Sequence, residues 1–254
     1  MYFYPTDTVR IFAHRGLAIA ADGTPLDENT LPAFARALEV GADYIESDIQ
    51  VTRDGIPVLF HDDDLQRVAG VPSPIGKLTL EEIKAIPLEH GGQIPTLAEA
   101  LEAFPNARFN LDFKSVSSIT AGCRVIVEHG AQARVLAASF SDARGEAAAA
   151  KLPGVATSAG AMRTLRAILA HKIGAGILLG MAVDNVDALQ IPTHQGRLRL
   201  DTKRFISNVK KHGAEVHFWT INDPAEMKRL VALGANGIVT DRADIAVATL
   251  RPSA

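Results

Sequence analysis

The sequence predicts an α/β fold, a single (β/α)8 TIM barrel with a short hairpin and a small insertion after the second barrel strand. Apolar, β-branched runs alternate with segments of helical periodicity along all 254 residues. Neither a linker nor a change of composition divides the chain. Strand–helix alternation over about 250 residues is typical of this barrel. We therefore expect one domain over residues 1–254.

Eight runs have the composition of strands, and seven segments between them carry apolar residues at three- and four-residue spacing. The strands are predicted at residues 9–13, 44–51, 108–113, 134–140, 154–158, 186–191, 215–220 and 237–240. The helices are predicted at residues 31–40, 96–104, 117–129, 141–151, 161–171, 202–211 and 224–233. Helix start signals support several of them, such as Thr96 followed three residues later by Glu99.

One further strand-like run, at residues 56–60, follows the turn at residues 53–55 too closely for a parallel crossover, which needs roughly a dozen residues or more. We interpret it as a hairpin return from the second barrel strand. Residues 71–93 contain three prolines and three glycines. They are predicted to form the insertion, mostly loop, with a short helix near residues 80–86.

Composition narrows the function classes. The 26 Lys and Arg residues against 29 Asp and Glu give a formal net charge of −3, whereas binding to a phosphate backbone usually needs a strongly basic face. We therefore expect no nucleic-acid partner. With 47% hydrophobic and 22% charged residues, the chain is an ordinary globular protein. The single cysteine, Cys123, excludes an internal disulfide and a cysteine-based zinc cluster.

Membrane and export signals are not predicted. The most apolar run, residues 174–183, ends at Asp184, well short of the roughly 18 apolar residues that a membrane span needs. Residues 1–10 show no basic region followed by an apolar core and a cleavage site. We expect a cytoplasmic protein, and no pattern in the sequence predicts its oligomeric state.

Polar residues follow the first two predicted strands at their carboxyl ends, where active sites of this fold lie. His14 and Arg15 come directly after the first strand. On the second, a period of two puts Glu46 and Asp48 on one face. Two carboxylates side by side in a barrel lumen repel each other unless a cation or protons compensate. A divalent-cation site is favoured over the alternative, a solvated strand with a charged face, because helices are predicted on both sides.

The third strand repeats the pattern, since Asn110, Asp112 and Lys114 share a face. Asp112 would add a third carboxylate to Glu46 and Asp48. Hard oxygen ligands suit Mg²⁺, Ca²⁺ or Mn²⁺ better than zinc, and such sites keep waters that substrate oxygens can replace. The pattern therefore predicts one divalent cation and an anionic substrate.

Two histidines are predicted to converge on this site. The hairpin returns His61 toward the carboxylates, and His14 ends the first strand. Imidazole titrates nearest to neutral pH, so the two are a candidate acid and base. A structural hydrogen-bonding role is the alternative. His217, on the seventh strand, has no predicted direction.

Two cations and one aromatic residue complete the candidates. Arg15 and Lys114 suit an anionic phosphate, because arginine can bind two oxygens at once. Each could instead be a salt-bridge partner of the carboxylates. Trp219, the only tryptophan, lies where the seventh strand meets its loop. It is predicted either to wall a substrate pocket or to pack in the core.

Taken in order, these residues resemble the glycerophosphodiester phosphodiesterase family. No single triplet is specific, but the ordered set runs from residue 11 to residue 244. The motifs are His14-Arg15-Gly16, Glu28-Asn29-Thr30, Glu46-Ser47-Asp48, Asp54-Gly55, His61-Asp62, Ile94-Pro95-Thr96-Leu97, Glu99-Ala100-Leu101, Trp219-Thr220-Ile221-Asn222 and Gly237-Ile238-Val239-Thr240-Asp241.

The resemblance implies a TIM barrel that hydrolyses small-molecule glycerophosphodiesters to sn-glycerol 3-phosphate and an alcohol, with one divalent cation, Mg²⁺ or Ca²⁺. It implies that His14 and His61 are the catalytic pair. The implied metal ligands are Glu46, Asp48 and Asp112. The implied substrate-binding residues are Arg15, Glu28, which supports the site, Lys114 and Trp219.

The sequence also allows other functions. Family members often have glutamate where this chain has Asp112, and the related sphingomyelinase D-type phospholipases have aspartate there. A lipid-directed phosphodiesterase of lysophospholipase D or sphingomyelinase D type is therefore the second function considered. A metal-dependent barrel isomerase or aldolase is not favoured, because this sequence offers no lysine candidate for a Schiff base. A catalytically silent phosphodiester-binding protein would not need two histidines and three carboxylates.

Overall fold

The computed structural model describes residues 2–3, 8–196 and 198–251. Within them, eight parallel strands form a nearly closed barrel, which confirms the predicted fold class. We number these barrel strands first to eighth in chain order. They are Arg10–His14, Tyr44–Val51, Arg108–Phe113, Val135–Ala138, Ala156–Thr157, Ala188–Ile191, Glu215–Phe218 and Gly237–Thr240.

Barrel closure occurs between the fifth and sixth strands. The first strand pairs in parallel with both the second and the eighth. In contrast, the fifth and sixth strands are joined through one isolated bridge, from Ser158 to Ala188, and the Ala159 N–H donates to the Ala188 carbonyl at 2.9 Å. The fifth strand, predicted over residues 154–158, is therefore only two residues long.

Helices surround the barrel, and all seven helices predicted between the strands are present with shifts of at most one residue at their ends. The helices among the described residues are Leu31–Glu39, Gln66–Ala69, Leu80–Lys84, Leu97–Ala103, Val116–Glu128, Asp142–Lys151, Ala161–Lys172, Gly176–Val183, Lys203–Lys211, Pro224–Ala232 and Ala243–Leu250. Capping side chains begin several of them. Thr96, for example, accepts from the Glu99 N–H while Glu99 accepts from the Thr96 N–H.

Three of these helices, Gln66–Ala69, Gly176–Val183 and Ala243–Leu250, were not predicted. Helix Gly176–Val183 is apolar at every position, so it shows no helical period in the sequence. A ribbon of His194–Gln195 with Leu198–Arg199, after the sixth strand, was also not predicted. In the described part of the chain, every helix is too short or too polar to cross a membrane.

The predicted hairpin is confirmed. Pro57–Leu59 pairs antiparallel with the second strand, with Leu59 opposite Ile49. The insertion that follows has more structure than predicted. It begins at Asp64, before the predicted start at residue 71, and contains a ribbon of Asp64–Leu65 with Val71–Pro74, the short helices Gln66–Ala69 and Leu80–Lys84, and an apolar cluster of its own. This cluster holds the insertion against the hairpin, beside the carboxyl ends of the strands.

The core lies in two layers. Apolar residues that face outward from the strands pack under the helices. Inside the barrel, Phe12, Tyr44, Leu136 and Val239 form a separate cluster, in which the Phe12 and Tyr44 rings stack at 4.5 Å. Side chains therefore fill the middle of the barrel. The carboxyl ends of the strands remain open above them.

Candidate active site

A cavity of about 610 Å³ opens at the carboxyl ends of the strands. Most of the predicted site residues line it together, while Glu28 binds the guanidinium group of one of them, Arg15. The predicted residues that line the cavity are His14, Arg15, Glu46, Asp48, His61, Asp112, Lys114 and Trp219.

His14 is held through one ring nitrogen. Its Nδ1–H donates to Asp241 Oδ1 at 2.6 Å, and its Nε2 lies 3.9 Å from Glu46 Oε2. Asp241 follows the eighth strand, which pairs with the first, and its other oxygen accepts from Asn222 Nδ2 at 2.7 Å. A carboxylate on Nδ1 sets the tautomer and the orientation of the ring. Nε2 is therefore the nitrogen available for proton transfer.

His61 has the same arrangement on the hairpin side of the cavity. Its Nδ1–H donates to Asp62 Oδ1 at 2.6 Å. Asp62 Oδ2 in turn accepts from Arg67 Nε at 2.6 Å. The site thus contains two histidine–aspartate pairs, and in each the aspartate binds the ring at Nδ1.

The contact between His14 and Asp241 shifts the pKa values of both groups. Burial lowers the pKa of His14, but the hydrogen bond to Asp241 and the charge of Glu46 outweigh burial and raise it above its ordinary value. Burial raises the pKa of Asp241, yet its bonds to His14 and Asn222 bring it below the ordinary value. A raised pKa keeps a larger share of His14 protonated near neutral pH.

Three carboxylates line the cavity, of which Asp48 and Asp112 are buried and Glu46 is partly buried. Asp48 on the second strand is in register with Asp112 on the third, and Glu46 is in register with His14. Burial and the charge of Asp48 raise the pKa of Glu46 to about 7. Burial also raises the pKa of Asp112, although the neighbouring Lys114 opposes the shift. Concentrated negative charge is therefore the main electrostatic feature of the site.

Lys114 compensates part of this charge. Its Nζ lies 2.7 Å from Asp48 Oδ1 and 3.1 Å from Asp112 Oδ2. Burial lowers the pKa of Lys114, but the two carboxylates outweigh burial and raise it. The ammonium group is therefore charged, and it occupies the space between the two carboxylates.

Other oxygens of this set have no hydrogen-bond partner among the described residues. They are Asp48 Oδ2, Asp112 Oδ1 and Asn110 Oδ1, all buried. The described ranges contain no ready cluster of three or more His, Cys, Asp or Glu side chains in metal-ligating geometry. Buried oxygens without partners nevertheless fit a hard divalent cation. Such a cation would compete with Lys114 for Asp48 and Asp112.

Arg15 lies where the chain turns sharply. It has a left-handed backbone (φ 58°), and Gly16 follows with φ 84°. A Cβ on Gly16 would lie 2.9 Å from the Ala33 carbonyl, so only glycine fits there. The Arg15 N–H donates to Glu46 Oε2 at 3.1 Å and its NH1 to Glu28 Oε1 at 2.9 Å. Its buried Nε has no partner in the part of the chain that the structure describes, and this leaves a donor for an anion.

The opposite wall of the cavity is apolar. The Trp219 ring meets Phe140 edge to face at 6.1 Å. Phe140 is 63% exposed, and Met162 and Leu165 also line the cavity while more than 40% exposed. The cavity therefore combines a charged half with an apolar half that reaches the surface.

Sequence reasoning assigned no role to three residues that hold the site together. Asp62 and Asp241 belong to the quoted motifs, and each directly follows a strand end or a histidine, which is a usable signal. Arg67 comes from the insertion and binds both Glu28 and Asp62. Its segment follows no period, so no sequence signal marks it.

Comparison with known proteins indicates one family. A sequence model described as "Glycerophosphoryl diester phosphodiesterase family" matches residues 14–245. The chain is 34% identical over 243 residues to "Probable glycerophosphodiester phosphodiesterase 2" of Mycobacterium tuberculosis, which covers 94% of this chain and 92% of that protein. It is also 37% identical over 100 residues to a lysophospholipase D of Homo sapiens, across 34% of this chain and 32% of that protein.

Solved structures show the same architecture. A glycerophosphodiester phosphodiesterase from Agrobacterium tumefaciens superposes with a TM-score of 0.75 at 24% identity, covering 95% of this chain and 98% of that one. An Oleispira antarctica phosphodiesterase in complex with the product sn-glycerol-3-phosphate superposes with a TM-score of 0.74 at 26% identity, covering 95% and 96%.

Proposed function

The chain belongs to the glycerophosphoryl diester phosphodiesterase family and is thus a phosphoric diester hydrolase, and we propose that it hydrolyses glycerophosphodiesters to sn-glycerol 3-phosphate and an alcohol. The observation that carries this proposal is a pair of imidazoles, each held at Nδ1 by an aspartate, beside buried carboxylate oxygens that have no hydrogen-bond partner among the described residues. The product in the Oleispira antarctica structure supports the same chemistry.

In the proposed reaction, His14 and His61 move the protons. One imidazole takes a proton at Nε2 from the attacking water while the new P–O bond forms. If the glycerol 2-hydroxyl attacks instead, a water then opens the resulting cyclic phosphate to give sn-glycerol 3-phosphate. The P–O bond to the departing alcohol breaks, and the other imidazole protonates that oxygen. Asp241 and Asp62 hold the two rings and stabilise their charged forms. Each proton transfer is worth about 10²–10⁴-fold in rate.

Arg15 and Lys114 would bind the phosphate oxygens. The partnerless Nε of Arg15 is a donor for one of them, and Glu28 orients the guanidinium group. Charge-assisted hydrogen bonds of this kind stabilise the negative charge that develops on the oxygens in the transition state.

Glu46, Asp48 and Asp112 would hold one divalent cation, Mg²⁺ or Ca²⁺. When bound, such a cation supplies Lewis-acid stabilisation of the phosphoryl oxygens. The Lys114 ammonium group, which neutralises Asp48 and Asp112, is then available to the phosphate. The raised pKa of Glu46 supports this assignment, because a nearby cation removes the repulsion between Glu46 and Asp48.

Phosphorus NMR of glycerophosphocholine incubated with the protein tests the proposal. We expect sn-glycerol 3-phosphate to appear with Mg²⁺ or Ca²⁺ and not with a chelator. Phosphocholine as the product would mean that the other phosphoester bond is cleaved. An unchanged spectrum with both cations would exclude glycerophosphocholine as a substrate.

The apolar wall favours a second candidate, a lipid-directed phosphodiesterase of lysophospholipase D or sphingomyelinase D type. Phe140 and Met162 give an acyl chain a surface next to the charged half of the cavity. Turnover of lysophosphatidylcholine that exceeds turnover of glycerophosphocholine would favour this function. The reverse order would favour the first.

A further inference from the structure

We propose that the surface formed by helices Ala161–Lys172 and Gly176–Val183 binds an anionic lipid bilayer. These helices pack against each other on the outside of the barrel. Exposed apolar side chains of the two helices, together with Ile173 between them, are called here the apolar face: Leu165, Leu169, Ile173, Ile177, Leu178 and Met181.

The apolar face is unusually exposed for its composition. Ile177 is 82% exposed, Ile173 74% and Met181 68%. Helix Gly176–Val183 has no polar side chain at any position. A helix that is apolar all round is normally buried in protein or in lipid, and contiguous exposed apolar surface of this kind marks an interaction site.

The charges on the two helices favour an anionic partner. Residues 161–183 contain Arg163, Arg166 and Lys172 and no Asp or Glu, although the whole chain has a formal net charge of −3. Arg163 bonds to the Asp184 carbonyl and approaches Glu146, so the argument depends on Arg166 and Lys172. Basic residues flanking an apolar helical face are typical of helices that lie at the boundary between lipid headgroups and acyl chains.

The length of the helices defines how they would meet the bilayer. They contain 12 and 8 residues, whereas a spanning helix needs about 20. The apolar side chains would therefore enter the interface while the helix axes remain on the surface.

The position of the apolar face argues for a bilayer over a second copy of the chain. It continues through Leu165 and Met162, on the same helix, to the rim of the cavity. A symmetric dimer through this surface would cover that rim. It would also bring the basic groups of Arg166 and Lys172 close to their own copies. A bilayer would instead lie beside the cavity entrance, with its headgroups next to the two basic side chains.

Cosedimentation with vesicles tests this proposal without any turnover, so the result is independent of the proposed function. We expect the wild-type protein to bind vesicles of phosphatidylcholine mixed with phosphatidylglycerol. Binding to phosphatidylcholine alone should be weaker, and high salt should weaken binding to the mixed vesicles because it screens the basic groups.

Two double variants separate the contributions. Ile177→Gln/Met181→Gln should weaken binding to the mixed vesicles at least about tenfold, because two exposed apolar side chains no longer enter the interface. Arg166→Gln/Lys172→Gln should remove the preference for phosphatidylglycerol. The matched control is Val127→Gln, an exposed apolar residue on helix Val116–Glu128, and it should bind like the wild type. Circular dichroism checks that each variant is folded.

Three results would overturn the proposal. The wild-type protein could remain in the supernatant with both kinds of vesicle at low salt. The Ile177→Gln/Met181→Gln variant could bind as strongly as the wild type. Light scattering could show a wild-type dimer that becomes a monomer in this variant, with no vesicle binding by either, and the partner would then be a second copy of the chain.

Discussion

The two ends of the barrel carry similar charged groups in opposite arrangements. At the amino ends of the strands, Glu215 binds Arg10 through two hydrogen bonds of 2.8 Å and His217 Nε2 at 3.0 Å. At the carboxyl ends, buried oxygens of Asp48 and Asp112 lack partners among the described residues. A buried charge whose polar atoms all have partners is compensated within the fold, whereas a buried oxygen without a hydrogen-bond partner costs free energy unless a ligand binds it. The comparison therefore separates a structural network from a candidate site.

One residue type shows the contrast most clearly. His217 is fully buried, and its ring lies 4.7 Å from Phe12 and 5.4 Å from Phe3. Burial outweighs the charge of Glu215 and lowers the pKa of His217. The pKa of His14 is raised instead, because Asp241 and Glu46 outweigh burial. A histidine on an inward face is thus structural at one end of the barrel and a catalytic candidate at the other.

The largest effect is expected from the two candidate catalytic histidines. His14→Gln and His61→Gln should each lower kcat for glycerophosphocholine by about 10²–10⁴-fold, because one proton transfer is lost. The rate of sn-glycerol 3-phosphate release measures kcat. His129→Gln, on an outer helix end, is the control and should retain wild-type activity. Folded variants that keep more than a tenth of wild-type activity would contradict the assignment.

Replacing a glutamate by glutamine should lower stability at the amino ends of the strands and lower activity at their carboxyl ends. Glu215→Gln removes the charge that pairs with buried Arg10, and we expect it to lower the free energy of unfolding by about 3–5 kcal/mol. It should leave kcat of the folded protein unchanged. Glu46→Gln should abolish most activity without a comparable loss of stability, because the charge of Glu46 is unfavourable beside Asp48. Urea denaturation and kcat measured on both variants make the comparison.

That comparison fails if the effects are exchanged. A Glu215→Gln variant with wild-type stability and impaired kcat would place function at the amino end. A strongly destabilised Glu46→Gln variant would mean that Glu46 is a structural group.

A smaller effect is expected at the aspartates that hold the histidines. Asp241→Asn removes the charge on His14 Nδ1, so we expect kcat to fall at least about tenfold. The pKa of His14 should fall too, because the hydrogen bond to Asp241 raises it. The limb of the pH profile of kcat that reports His14 should therefore lie at lower pH than in the wild type. A profile identical to that of the wild type would show that Asp241 does not act through His14.

The smallest effect is the pH dependence of stability. The bonds to His217 and Arg10 outweigh burial and lower the pKa of Glu215 from 4.5 to about 2. Glu215 thus contributes stability that is fully present above pH 4.5 and is lost as the pH falls toward 2. His217, with its pKa below 6.5, stays neutral when folded and is protonated when unfolded. Its contribution also falls as the pH drops below 6.5.

Urea denaturation across this pH range checks both signs. Glu215→Gln should lose the part of the slope between pH 4.5 and pH 2 and keep the part that begins near 6.5. A slope parallel to that of the wild type over the lower range would contradict the role of Glu215.

The barrel and much of its charged end follow from simple patterns in the sequence. Strand–helix alternation predicts the fold, and a period of two on the second and third strands brings Glu46, Asp48 and Asp112 to one face. These residues lie on two adjacent strands, so local periodicity is enough to group them.

Contacts between distant segments were beyond such patterns. Asp241 meets His14 across the pairing of the eighth strand with the first, 227 residues apart. Arg67 reaches the site from an irregular insertion. Helix Gly176–Val183 has no polar side to give it a period, and its exposure depends on how neighbouring helices pack. Tertiary packing therefore decides what local sequence leaves open.

Calorimetric titration of Mg²⁺ and Ca²⁺ into the protein tests most directly whether the carboxylates at the carboxyl ends of the barrel strands form a cation site. We expect the wild type to bind one divalent cation per chain. Asp112→Asn, which keeps the size of the side chain and removes its charge, should weaken binding at least about tenfold. Glu128→Gln, at an exposed position, should bind like the wild type. Binding that is absent in the wild type, or equal in the wild type and Asp112→Asn, would contradict the account.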